Sequence, residues 1–474
     1  MGYVRVYTGD AAGTQYPEEL ASSVHFSFSR DEKAFEPLNR NYGILFAKAA
    51  VGADNTLKVK MLGEPSIFFQ SGKYHIIARQ LDKGAVPDPA ARGKVLYWTS
   101  ADLISFAEHG LTTVDRIPGY PGKNFDTVEV DDEALRRIIS AWTPYPCQET
   151  EKESSFTFPL SKGTADPVIF HWQAHWYFIS TNDNNGNIGF LVRRAGSVAD
   201  LFSAGAEEHR ILDLDEKRGL IQTFWAPEFH VIGGRLYLLF AVSGNAWGPQ
   251  CRMMRLKESG QIIRADDWED PVTVVRKDGS VLGAGGITLD MTHLRAAGKS
   301  YLVWSQRWGI GTPLDSGSML FIAEADPGNP WRLASDPVLL SRPLYGWENQ
   351  SGTINHEGPF PLYNGDAIHL FYSGGDARGF SYTIGFLSVT QNADLLDPAA
   401  WKKSPSPALT SFCLKGQYGP GHNSFFQDEQ GRTWMAYHAE LYPDKALACA
   451  AIRRVYFDEE GKPRLDFTTE ERPW

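Results

Sequence analysis

Apolar and polar residues alternate in short runs along most of the chain, the signature of strands with one buried face. Val24–Asp31 (VHFSFSRD) reads this way, as does PSIFFQSGKYHIIARQ from Pro65, where a Ser71-Gly72-Lys73 turn separates two apolar runs. Val95–Ser100 (VLYWTS) and Arg136–Pro144 (RRIISAWTP) are expected to continue the strands. The polar run Gln148–Ser155 then breaks the pattern and is expected to be a linker.

Beyond it the pattern repeats. Each unit has an apolar strand, a turn that usually carries Gly, and a second strand rich in aromatics. The units begin at Ala165 (ADPVIFHWQAHWYFIS), Trp225 (WAPEFHVIGGRLYLLFA), Leu289 (LDMTHLRAAGKSYLVWSQ), His356 (HEGPFPLYNGDAIHLFYSGG) and Gly421 (GHNSFFQDEQGRTWMAYHA). Successive starts lie roughly 60 to 65 residues apart, room for four short strands and their loops. The first unit is imperfect, with Gln173-Ala174 where the others have a turn glycine. Radial repetition leaves only short, protected sheet edges. The expected fold is therefore all-β: a five-bladed β-propeller over residues 151–474, preceded by an N-terminal β-rich, blade-like region over 1–150.

In a propeller the innermost strands line one axis, so residues at the blade entrances converge. Asp166, Trp225, Asp290, Glu357 and His422 are expected to hold that entrance position. Three of the five are acids, and acids crowded around a narrow axis raise one another's pKa at a cost in stability. A purely structural propeller has no reason to bear that cost.

Composition narrows the partner. Aromatics are 13% of 474 residues, and flat rings suit stacking on sugar faces. The net charge of −11 without a basic cluster argues against nucleic acid and anionic membranes, and favours a neutral oligosaccharide. Cys147, Cys251, Cys413 and Cys449 lack CxxC spacing, so they are expected to be unpaired buried thiols rather than zinc ligands or a disulfide framework. The start MGYVRVYTGD has no apolar core of an export signal and no apolar run is long enough to span a bilayer, so the expected location is the cytoplasm, unless a leader was removed.

Taken together, Asp166-Pro167, Trp225-Ala226-Pro227, Asp290, Glu357-Gly358-Pro359 and Gly421-His422 resemble glycoside hydrolase family 43, over about two thirds of the chain from Thr164 onward. The resemblance implies a general base at Asp166, a general acid at Glu357, and an acid-orienting, pKa-tuning role for Asp290. It also implies an axial His422 that ligates a central ion, such as Ca2+, or an ordered water; no cofactor is otherwise required. YLVWSQR, MLFIAEADPGNPW, SRPLYGWE and YGPGHNSFF resemble the α-L-arabinofuranosidases most, with β-xylosidases, endo-arabinanases and a silent carbohydrate-binding propeller as alternatives. Inverting hydrolysis needs a protonated acid at the leaving oxygen and an ionised carboxylate across from it, ~6.5–9.5 Å away. Desolvation and a negative Asp290 are expected to keep Glu357 protonated. Trp225 is a candidate stacking face, Arg307 a candidate partner for a sugar hydroxyl or a carboxylate, and Trp347 a candidate wall of the leaving-group subsite. Glu228 is expected to brace its blade.

Overall fold

The computed structural model describes residues 1–12, 14, 16–142, 156–350, 354–458 and 460–467. It divides into two compact units, Met1–Cys147 with Leu344–Thr353, and Gln148–Pro343 with Ile354–Trp474. The expected division at about 150 did not include Leu344–Thr353. That segment groups with the first unit through backbone pairing: Ala49 N donates to Leu344 O (2.7 Å) and Gly346 N to Ala47 O (3.1 Å). The expected linker Gln148–Ser155 and Cys147 lie outside the described residues.

The first unit contains two larger antiparallel sheets around a core that includes Val4, Phe26, Ile67, Ile76 and Trp98, and a two-stranded one that pairs Ala50–Val51 with Leu57–Lys58. One expectation fails here: Asp132–Trp142 is a helix, not a strand. Asp131 accepts from Ala134 N (2.7 Å), an N-cap, and Asp132 and Glu133 fill the first turn. Leu135, Ile138, Ile139 and Trp142 then fall at helical spacing and pack on the core.

The second unit holds five four-stranded antiparallel sheets. Their first strands are β1 (Thr164–Trp172), β2 (Gln222–Ile232), β3 (Gly286–Ala296), β4 (His356–Asn364) and β5 (Tyr418–Gln427). Each packs against its two neighbours, so the five form a closed ring. Ser161–Lys162 pairs with Lys445–Arg454 and completes the last sheet with chain from the start of the unit. Apolar cores lie between adjacent sheets, as with Ile179, Phe224 and Phe240 between the first and second. In the imperfect first repeat, Gln173 itself takes the left-handed turn conformation (φ 54°).

Every inner strand is broken at the same place by a β-bulge. The register shifts fall between Ala165 and Val168, Trp225 and Glu228, Leu289 and Thr292, Glu357 and Phe360, and Gly421 and Ser424. Within them Asp166, Ala226, Asp290, Gly358 and His422 have φ between 45° and 58°. The equivalence expected of Asp166, Trp225, Asp290, Glu357 and His422 is thus off by one in two blades. Trp225 and Glu357 precede the left-handed residue; the other three occupy it. A non-glycine there costs about 1–3 kcal/mol, and the neighbouring blade over-determines the geometry. The bulge releases the left-handed residue's N–H from its own ladder, and in four of the five a side chain on the adjacent sheet takes it up. Asp166 N reaches His438 Nδ1 (3.2 Å), Ala226 N reaches Thr181 Oγ1 (2.9 Å), Gly358 N reaches Asp290 Oδ2 (3.0 Å), and His422 N reaches Ser373 Oγ (2.7 Å).

Candidate active site

The bulges turn side chains into a cavity of about 450 Å3 where the inner strands begin. Asp166, Trp225, Asp290, Arg307, Glu357 and His422 all line it. A larger cavity of about 620 Å3, near Ile211–Asp213 and Trp268–Pro271, lies away from these acids, and its charged groups pair off, as in Arg218–Asp270 at 2.7 Å.

Asp166 is enclosed by a hydroxyl and two imidazoles. Thr181 donates to Oδ2 (2.5 Å), while His422 Nδ1 and His438 Nδ1 lie 3.1 and 3.4 Å from Oδ1. Burial alone raises its pKa, but the two imidazoles and the hydroxyl outweigh burial and hold the carboxyl well below the usual range. Glu357 is the opposite case. Burial pushes its pKa up to about 7, the charge of Asp166 adds to this, and the Tyr382 hydroxyl that donates to Oε1 (2.9 Å) opposes it. One cavity therefore holds an ionised carboxylate and a protonated carboxylic acid near neutral pH.

Asp290 departs from its expected charge. It is 2% exposed, and burial, Glu357 and Asp166 drive its pKa well above the carboxylate range. Asp290 and Glu357 titrate as a coupled pair rather than as a fixed anion beside an acid. Gly358 N, of the residue after Glu357, donates to Asp290, so Asp290 also fixes where the Glu357 bulge sits.

This arrangement yields a paired prediction. Tyr382→Phe removes a donor that stabilises the Glu357 carboxylate, so the alkaline limb of the pH–rate profile should move to higher pH. Asp290→Asn removes a carboxyl that burial holds in its neutral form, so the same limb should stay in place. Profiles of kcat/KM for the two variants check both; a limb that Tyr382→Phe moves to lower pH, or that Asp290→Asn moves as far as Tyr382→Phe does, would refute the assignment.

His422 is committed to Asp166 through Nδ1, and a Cβ on Gly358 would come within 2.9 Å of its ring. Among the described residues no three His, Cys, Asp or Glu side chains converge in a way that could hold a metal ion. The donor set does not fit an axial Ca2+ on His422, because an imidazole turned onto a carboxylate supplies no hard oxygen shell.

Arg307 both lines the cavity and braces a carboxylate: Nε and Nη2 grip Asp315 at 2.7 and 2.6 Å. Trp225 lines the cavity while packing on Ala241, Ile287 and Leu289. Glu228 is 3% exposed, bonded to His230 Nε2 (2.6 Å), and is absent from the cavity wall. Trp347 is corrected: it is wholly buried and is not a wall residue. The reciprocal turn Tyr345 N to Glu348 Oε2 and Glu348 N to Tyr345 O (both 2.8 Å) draws its segment inward, and the segment belongs to the first unit.

Sequence reading missed Thr181, Tyr382, His438 and Trp247, all of which line the cavity. Thr181 and His438 stand on second strands, directly opposite Ala165 and Gly421 in register, so pairing the two strands of each repeat was the signal available. Tyr382 precedes a strand and carries no such signal.

A family model described as Glycosyl hydrolases family 43 matches residues 156–463. The chain belongs to this family. It is 31% identical over 320 residues to the extracellular exo-α-(1→5)-L-arabinofuranosidase of Streptomyces avermitilis, covering 66% of this chain and 63% of that one. To the enzyme of the same name from Streptomyces chartreusis it is 33% identical over 289 residues, 60% of this chain and 83% of that one. The crystal structure of α-L-arabinofuranosidase from Lactobacillus brevis superposes with a TM-score of 0.57 at 29% identity, over 65% of this chain and 96% of that one. The region before residue 156 lies outside the family match.

These relatives also correct the expected cytoplasmic location, because both Streptomyces proteins are named as extracellular. That expectation rested on the composition of the first residues, and export leaders are removed from mature chains, so it had no purchase on the question.

Proposed function

We propose that this family 43 chain is an exo-acting α-L-arabinofuranosidase that works outside the cell. It removes terminal arabinofuranosyl residues from arabino- or arabinoxylo-oligosaccharides with inversion. The observation that carries the reading is the pair of carboxyls held in opposite protonation states on one cavity, Asp166 ionised and Glu357 raised to about 7. Asp166 takes the proton of an attacking water, and Glu357 delivers its proton to the departing sugar oxygen. Asp290 holds the Glu357 bulge through Gly358 N, while the charge that helps burial raise the acid is that of Asp166. Because the acid must stay protonated, kcat/KM should fall as pH rises through the Glu357 value, whereas Asp166 stays ionised far into acid.

The test is hydrolysis of 4-nitrophenyl α-L-arabinofuranoside against the β-D-xyloside, followed by product sizing on linear arabinan and NMR of the first-formed anomer. Arabinose alone, released first as the β anomer, supports the reading. Preference for the xyloside, a ladder of oligomers, or retention overturns it.

No step is assigned to a metal. EDTA should leave both melting temperature and activity unchanged; a loss restored by calcium would show an axial ion that the donor geometry does not support.

A further inference from the structure

The walls of the catalytic cavity differ in chemistry with depth and with side. The acids are deep: Asp290 is 2% exposed, and the Asp166 side chain 13%. At the mouth stand two large apolar residues that the fold leaves open to solvent, Trp247 at 46% and Ile310 at 40% exposure. Both lie on loops of the second and third sheets, above Trp225, Ile287 and Leu289, which extend the same apolar wall inward. The remaining rim is charged, with Asp183, Asp376 and Arg378.

The two loops are braced. Gln222 Nε2 donates to Gly244 O (3.0 Å) and Asn245 O (3.1 Å), and Gly248 N donates to Ser243 Oγ (3.1 Å), pinning the Trp247 loop on both sides. The bidentate Arg307–Asp315 pair closes the Ile310 loop, and Asp315 also accepts from Gly311 N (3.3 Å). A loop braced in this way presents its exposed indole from a fixed backbone, which leaves less ordering to lose on binding.

We propose that Trp247, with Ile310, forms the subsite for the sugar that follows the cleaved bond. The occupant is the second residue of a neutral oligosaccharide, its C–H face on the indole and its hydroxyl edge toward the charged rim. This rests on the exo-hydrolase reading above. The acids lie at depth, so the terminal sugar enters first and its neighbour is left at the mouth. The leaving-group wall expected at Trp347 is thereby assigned to a different tryptophan. A sugar ring has one apolar face and polar edges, which matches a cavity mouth with one apolar and one charged side.

The test compares kcat/KM for methyl α-L-arabinofuranoside, which has no second sugar, with that for α-(1→5)-linked arabinotriose. Trp247→Ala should lose about 10-fold or more on the triose relative to its loss on the methyl glycoside, mainly through KM. Trp247→Phe, which keeps a flat ring, should recover most of the difference. Equal losses on both substrates, or a Phe variant as impaired as the Ala variant, would overturn the subsite. Failure of the function reading registers separately, in wild-type protein that hydrolyses neither arabinoside, and it removes the subsite too. Activity on the methyl glycoside reports that the variants are folded.

Discussion

Glu357→Gln should lose ~10³-fold or more in kcat on natural arabinosides, whose alkoxide leaving groups depart only with a proton. On a dinitrophenyl arabinoside the same variant should keep far more activity, because that leaving group needs little protonation. The effect follows from the position of Glu357 in the cavity and from the burial that pushes its pKa up to about 7. Gln preserves the acceptor that the Tyr382 hydroxyl uses at 2.9 Å, so the bulge should survive the change. The variant should also lose the alkaline limb of the pH–rate profile that belongs to Glu357. If Glu357→Gln is equally impaired on activated and natural substrates, Glu357 is not the leaving-group acid, and Asp290 becomes the next candidate.

Asp166→Asn should lose ~10³-fold or more on both substrate types, with no rescue by a good leaving group, since water must be activated whatever departs. A second readout is independent of turnover. The Asp166 carboxylate works against burial to raise the pKa of His438, so in the Asn variant His438 should titrate at lower pH, observable by NMR. Near-native turnover in a folded Asp166→Asn protein would remove Asp166 as the base. An unmoved His438 titration would show that the ion pair at 3.4 Å carries no weight.

The two halves of the chain show why an acid-proline motif alone is weak evidence of a site. Glu64-Pro65 in the first unit has the same local structure as Asp166-Pro167. Its register shift lies between Gly63 and Ser66, Glu64 has φ 49°, and its strand forms a hairpin in a sheet with the order of a blade. Even the cross-strand partner corresponds, with Arg79 opposite Gly63 as Thr181 is opposite Ala165. Yet the Glu64 side chain is 65% exposed and simply pairs with Arg79 at 2.6 Å. A bulge aims a carboxylate; only the closed ring encloses it among other polar groups.

The amino-acid pattern by itself determined what is local and periodic: the paired strands, the repeat, the module entrances, and the acids Asp166, Asp290 and Glu357 that stand at them. Period-two alternation and turn residues are properties of neighbours in sequence, so they survive in one dimension. The same alternation misled at Arg136–Pro144, where an N-cap at Asp131 and helical spacing prevailed. Only the tertiary structure decided which residue of each entrance takes the left-handed position and that Asp290 is not a simple anion. It likewise decided that Trp247, not Trp347, stands on the cavity wall. These depend on groups far apart in the chain, such as Asp166 and His438, 272 residues apart yet joined across the last and first blades. Burial, electrostatic coupling and enclosure act through space, and no spacing along the chain encodes them one residue at a time.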